Sequence, residues 1–175
     1  MLRDMRRLVG LLREEPTVGG LPIPVREESL DGIGHLVESA RSTGTEVDLT
    51  VLERGDGRPA GAEVGPLAQL SAYRTVQEAL ANAARHAPGA ACHVVVDARD
   101  PARVRVTVVN DPPAGPVPAA RTAGGGYGLV GMRERAELTD ARLGYGPTPD
   151  GGWQVSLALP ALDHLDQGTD EGEAR

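Results

Sequence analysis

Three short stretches of the sequence hold residue types able to do chemistry together. In Gln77-Glu78-Ala79-Leu80-Ala81-Asn82-Ala83-Ala84-Arg85-His86, the residues Glu78, Asn82 and His86 recur every four positions, which places them in one polar stripe along a helix. The carboxylate can accept a proton or hold a water. The amide oxygen is a hard ligand suited to Mg2+, and Arg85 and His86 can lie near phosphate oxygens. The same spacing also suits a plain solvated helix face.

The second stretch is Gly124-Gly125-Gly126-Tyr127-Gly128-Leu129-Val130-Gly131-Met132-Arg133-Glu134-Arg135. Its glycines let backbone approach a phosphate closely, and a helix that follows offers unpaired N–H groups and a positive dipole end. The run also spells G-x-G-x-x-G. A dinucleotide-binding fold needs a strand directly before the first Gly, whereas here a Pro/Ala/Gly segment intervenes. The glycine loop of protein kinases needs a downstream Lys, and the sequence has none. A flexible linker before a helix is the plain alternative. The third stretch is Val108-Val109-Asn110-Asp111-Pro112-Pro113. An Asn-Asp pair at a strand end can read a base edge, or it can simply form an Asx turn.

Hydrophobic periodicity supplies the elements that must position these groups. Residues 1–13 form an amphipathic pattern with Leu2, Met5, Val9 and Leu12 on one side. Residues 14–28, punctuated by Pro and Gly, suit a linker. Ser29 is a plausible N-cap for a helix to about Arg41 that Gly44 ends. Residues 45–53 alternate as a strand with Val47, Leu49 and Val51 on one face. The longest helical pattern runs from Pro66 to Ala87, its apolar side built from Leu67, Leu70, Tyr73, Val76, Leu80 and Ala84. Val-rich strands follow near 91–98 and 103–110, joined by Arg99-Asp100-Pro101. Residues 111–126 read as a loop, 129–138 as a helix, and 141–146 and 152–159 as closing strands. The acidic tail at 161–175 reads as disordered. This order predicts a two-layer α/β sandwich, a mixed sheet covered on one face by helices. The hairpins argue against a doubly wound parallel sheet.

Bulk properties exclude several classes. All 18 basic residues are Arg, so Walker-type phosphate binding and Schiff-base chemistry are ruled out. A net charge of −7 without a dense basic cluster argues against nucleic acid as a partner. Cys92 is the single cysteine, which leaves no intrachain disulfide or CxxC metal site. No apolar run approaches the roughly 20 residues of a membrane helix. A cytoplasmic setting is expected, although a longer parent protein could be membrane-attached.

In order, E-x3-N-x3-H, a strand ending in Asn-Asp, and G-x-G-L-x-G-M-R-E-R resemble the Bergerat-type ATPase domain of histidine kinases over roughly residues 29–160. The stretch GLVGMRER looks like the nitrate-sensor and desaturase-regulator subfamily, which pairs with helix-turn-helix response regulators. Met5 to Arg13 resembles the end of that subfamily's second dimerisation helix. The resemblance implies ATP and Mg2+ as ligands, with Asn82 on the metal that bridges the phosphates. It implies Glu78 as a base or a positioner of the acceptor, and Arg85 and His86 near the phosphates. Asn110 stands where the family has the adenine-binding Asp, with Asp111 as the alternative contact. Pro112 replaces the Gly of that box. Gly126, Gly128, Leu129 and Gly131 match the second glycine box, residues 111–127 the ATP lid, and Gly151, Gly152 and Trp153 a small-residue turn before the last strand.

The family's phosphoacceptor histidine lies on a helix upstream of the matched region, and His35, His93 and His164 do not match it. The resemblance therefore implies transfer of the ATP γ-phosphate to a histidine outside this chain. That histidine would sit on a dimerisation domain in cis or in trans, within a homodimeric kinase. Two alternatives are an anti-sigma-type serine kinase and a non-catalytic nucleotide-binding module.

Overall fold

A computed structural model of the chain describes residues 28–113, 115 and 126–162. The expected helix over 1–13, the linker to residue 27, most of the lid and nearly all of the tail lie outside the described residues. Eight elements follow in order: α1 (Ile33–Ser42), β1 (Val47–Leu52), α2 (Pro66–His86), β2 (Cys92–Asp97), β3 (Arg103–Asn110), α3 (Gly126–Glu137), β4 (Arg142–Pro147) and β5 (Trp153–Pro160). The strands form one sheet in the order β1-β2-β3-β5-β4. β1 and β2 are parallel and every other pair is antiparallel. This is the expected mixed-sheet sandwich of Bergerat type, and the parallel pair needs α2 as its crossover.

Alternation along the strands sets the layers. Cys92, Val94 and Val96 of β2, Val104, Val106 and Val108 of β3, and Val155, Leu157 and Leu159 of β5 are buried on one face. The intervening residues are half-buried or exposed. Helices cover the buried face. Across the other face Thr107 and Ser156 share a hydrogen bond of 3.3 Å. Leu157 is fully buried in the second-last strand position of the sheet, so Leu157→Ala should cost about 2–5 kcal/mol, read as a lower urea midpoint.

Several expectations shift. α1 starts at Ile33 behind Gly32, with no side-chain cap, so Ser29 is not its N-cap. Gly44 does end it, at φ +90°, where only Gly is unstrained. Val51 is 47% exposed at the far end of β1. The buried side of α2 is Ala68, Ser71, Ala72, Thr75, Val76, Ala79, Leu80 and Ala83, while Leu67 is 55% exposed and Ala84 also faces out. Small side chains let this helix lie close on the sheet, and they carry little weight in a hydrophobicity pattern. α3 begins at Gly126, not at 129, so the glycines belong to its first turn. Glycine's poor helix propensity hides that boundary.

The β2–β3 turn at the far end is pinned by its own charges. Arg99 donates to Asp97 at 2.8 and 2.9 Å and holds that carboxyl down at about 2 from its usual 3.8.

Candidate functional site

α2 presents Arg74, Glu78, Asn82 and His86 at four-residue spacing, all half-buried. Arg85 and His86 occupy its last turn, where cations oppose the negative dipole end. Arg85 is exposed and donates from Nη1 to Asn82 Oδ1 at 3.0 Å. Arg74 is engaged by Glu28 Oε1 at 2.6 Å and by Gln77 Oε1 at 2.9 Å. From His86 the chain turns through Gly89, at φ +77°, into β2.

The register then fixes what lies at this end of the sheet. Cys92, which opens β2, pairs with Asn110, and Asn110 pairs with Trp153, which opens β5. The end of α2, the end of β3 and the start of β5 therefore share one sheet edge. Asn110 is only 9% exposed and has the parity of the helix-covered residues. Its Nδ2 donates to the Asp111 carbonyl at 2.8 Å, leaving Oδ1 as an acceptor on that side. Asp111 goes the other way: its carboxylate lies 3.7 Å from His93 Nε2, on the open face. His93 Nδ1 in turn lies 3.7 Å from Asp48. Of the two candidate adenine contacts, only Asn110 faces the helix layer.

The turn before β5 is built around Asn110. Gly151 adopts φ +88°, and the Gly152 N–H donates to Thr148 Oγ1 at 2.9 Å. A Cβ on Gly152 would collide with the carbonyl oxygen of Asn110. Trp153 stacks on Tyr145 with centroids 6.3 Å apart, and Arg133 donates to the Tyr145 hydroxyl. Cys92 is buried beside this corner, and burial pushes its thiol above the usual 9.0.

α3 closes the third side. Met132 and Ala136 enter the core and Leu129 packs against it. Gly128 lies directly against Glu78: a Cβ there would strike the carboxylate and sit 3.2 Å from Cγ. The Arg135 guanidinium folds back over Gly131, with Nη1 3.2 Å from where a Cβ would be. Glu78 and Gly128 thus meet, Asn82 is held by Arg85, and Asn110 lies at the same sheet end. Gly126 opens α3. Sequence reasoning missed the Gly152–Asn110 approach and the His93–Asp111 pair, since each is a contact between distant stretches.

Among the described residues no three His, Cys, Asp or Glu side chains cluster as a metal site. The site fits a cation shared with a ligand: one hard amide oxygen at Asn82, a polar acceptor at Asn110, and a glycine-lined helix start.

The profile of the "Histidine kinase-, DNA gyrase B-, and HSP90-like ATPase" family matches residues 68–163. The chain is similar to the sensor histidine kinase YxjM of Bacillus subtilis (strain 168), 28% identical over 170 residues that cover 97% of this chain and 37% of that protein. It is also similar to the signal transduction histidine-protein kinase/phosphatase DegS of Brevibacillus brevis, 26% identical over 166 residues, covering 91% and 40%. The chain thus spans well under half the length of these curated relatives. Its fold is similar to the histidine kinase domain of the Erythrobacter litoralis EL346 blue-light activated kinase, with TM-score 0.55 at 17% identity, covering 97% of this chain and 77% of that one. Full-length ShkA in complex with AMPPNP gives TM-score 0.55 at 17% identity, covering 91% and 35%.

Proposed function

Because the chain belongs to the histidine kinase-, DNA gyrase B- and HSP90-like ATPase family, we propose that it is the ATP-binding catalytic domain of a sensor histidine kinase. It would pass the ATP γ-phosphate to a histidine outside these 175 residues. The observation that carries this reading is the seating of Glu78 on Gly128, which joins the polar stripe of α2 to the glycine-rich start of α3. Such a transfer is almost entirely positioning and charge neutralisation. Mg2+, when bound, would neutralise phosphate charge. Asn82 Oδ1 would hold it, and Arg85 and His86 would face the phosphate oxygens. Backbone N–H groups around Gly126, Gly128, Leu129 and Gly131 would meet the phosphates at the helix start. Asn110 Oδ1 would accept from the adenine amine. Glu78 would orient or deprotonate the acceptor.

None of the described histidines suits the acceptor role. His35 is exposed on α1, His86 belongs to the site and His93 lies on the open sheet face. The acceptor would come from a dimerisation helix in cis or in trans. The GLVGMRER stretch extends the proposal to the nitrate-sensor and desaturase-regulator type, with a homodimeric parent and a helix-turn-helix response regulator downstream. No helix among the described residues is long and apolar enough to cross a membrane, which is compatible with a cytoplasmic setting for this part.

Incubation with labelled ATP, Mg2+ and a histidine-bearing helical hairpin should label the hairpin with acid-labile phosphate. Acid-stable phosphate would instead support the serine-kinase alternative. ATP binding without any transfer would favour a non-catalytic module, a reading prompted by Pro112 at the exposed corner after Asn110.

A further inference from the structure

The chain has three Tyr, one Trp and no Phe, so the places where its few aromatic rings stand are informative. Among the described residues, none belongs to the fully buried core. Tyr145 and Trp153 instead stand together where β4 ends and β5 begins, their rings stacked with centroids 6.3 Å apart. They are 37% and 38% exposed. Large apolar rings contribute most when covered, and this pair leaves more than a third of each residue open.

The sheet register fixes which way the pair faces. Residues 153, 155, 157 and 159 share one side of β5, and Val155, Leu157 and Leu159 are buried there beneath the helices. Tyr145 pairs with Val155, and Trp153 pairs with Asn110, so both rings belong to the helix side. The hydrogen bond from Arg133 of α3 to the Tyr145 hydroxyl agrees with that placement. Trp153 is therefore the cross-strand neighbour of the amide whose Oδ1 is left open as an acceptor. Paired residues on antiparallel strands lie about 4.5–5.5 Å apart, within reach of one bound ring. The indexing is tight. A Cβ on Gly152 would collide with the Asn110 carbonyl oxygen. The Gly152 N–H and carbonyl are both tied to Thr148, at 2.9 and 3.0 Å.

We propose that Trp153 is a base-stacking residue: its open indole face receives the purine ring whose amine Asn110 Oδ1 accepts, while Tyr145, held by Arg133, backs the indole. The inference rests on the ATP-binding reading above. It assigns the two halves of base recognition to adjacent strands. β3 supplies a hydrogen bond to the ring edge, and β5 supplies an aromatic surface for the ring face.

Trp153 is the only tryptophan in the chain, so intrinsic indole emission reports on it alone. The full chain is titrated with Mg2+–AMPPNP and, separately, with Mg2+ and inorganic tripolyphosphate, while calorimetry follows binding. Emission should be quenched as AMPPNP saturates and should not change with tripolyphosphate, which has no ring to stack. Trp153→Leu, which keeps bulk without a π face, should weaken AMPPNP binding about 10-fold, within the range that base–aromatic stacking gives on substitution. Trp153→Phe should stay within about threefold of the native chain. AMPPNP binding without any change in emission would overturn the inference and leave the ATP-binding reading intact. Equal affinities in the native chain and a folded Trp153→Leu variant would do the same. The emission arm needs no variant, so it decides the matter even if Trp153→Leu does not fold. Quenching by the histidine-bearing hairpin and not by nucleotide would make the aromatic pair a docking surface and overturn the stacking role. Absence of any AMPPNP binding by calorimetry would instead sink the ATP-binding reading, and the stacking role with it.

Discussion

Asn82→Ala is expected to weaken Mg2+-dependent binding of an ATP analogue by about 100-fold or more, equivalent to about 2.7 kcal/mol. Loss of folding would not account for such a drop. Asn82 is a half-buried position in the last third of α2, and alanine is the best helix former, so the substitution is neutral or slightly stabilising there. What disappears is a side-chain oxygen, the hard donor that would hold Mg2+ in the proposed site. Water can refill the position but cannot tie the metal to α2. The Arg85 guanidinium, which donates to that oxygen at 3.0 Å, also loses its anchor and becomes free to pair with phosphate. That gain should act mainly in the metal-free state. Calorimetry in Mg2+ and in EDTA separates the two: the large loss should appear with Mg2+, and the metal-free affinity should change by less than about threefold. An equal loss in both conditions would place Asn82 on the nucleotide and not on the metal.

Gly152→Ala should cost about 2–4 kcal/mol of stability and disturb the site as well, read as a lower urea midpoint at unchanged slope. The added methyl would collide with the carbonyl oxygen of Asn110, lie 3.2 Å from its carbonyl carbon and lie 3.1 Å from Thr148 Oγ1. A flexible side chain could swing away, but this obstacle is backbone in a central strand. Asn110 pairs with Cys92 on one side and Trp153 on the other, so any retreat strains two ladders. Whatever movement does occur carries the Asn110 amide with it, so nucleotide affinity should fall together with stability. Gly151 offers the contrast. It sits at φ +88° with only Pro112 Cγ near, at 3.7 Å, so alanine there should cost about 1–2 kcal/mol through backbone strain alone and leave Asn110 in place.

The parts of the fold legible in the sequence are those written in a local period. The Val alternation of β2 and β3 identifies the strands and their buried face, and Gly44 marks the end of α1 by its need for positive φ. The buried side of α2 was legible at Val76, Leu80 and the partly buried Tyr73 but not in the remainder, which is Ala, Ser and Thr. Their contribution is closeness of approach, while the larger Leu67 drew the eye and lies in solvent. The start of α3 was hidden for the opposite reason: its glycines argue against helix by propensity, yet the first turn is where that cost is lowest. In the site, the Glu78, Asn82 and His86 stripe follows from spacing within one helix. Which of Asn110 and Asp111 faces the helix layer depends on strand parity at the last residue of β3, so a one-residue error in the strand end reverses the answer. The Gly152–Asn110 and Gly128–Glu78 approaches join stretches far apart in sequence, and no single-stretch pattern could have revealed them.

The central claim is that α2, the end of β3 and the start of α3 hold one magnesium nucleotide. Amide chemical-shift mapping with Mg2+–AMPPNP tests it most directly. The account predicts perturbations concentrated at 78–86, 110–111 and 126–131, with the far sheet end around Arg54, Arg99 and Arg103 silent. Perturbations centred on that far end, or confined to only one of the three stretches at saturating ligand, would contradict it.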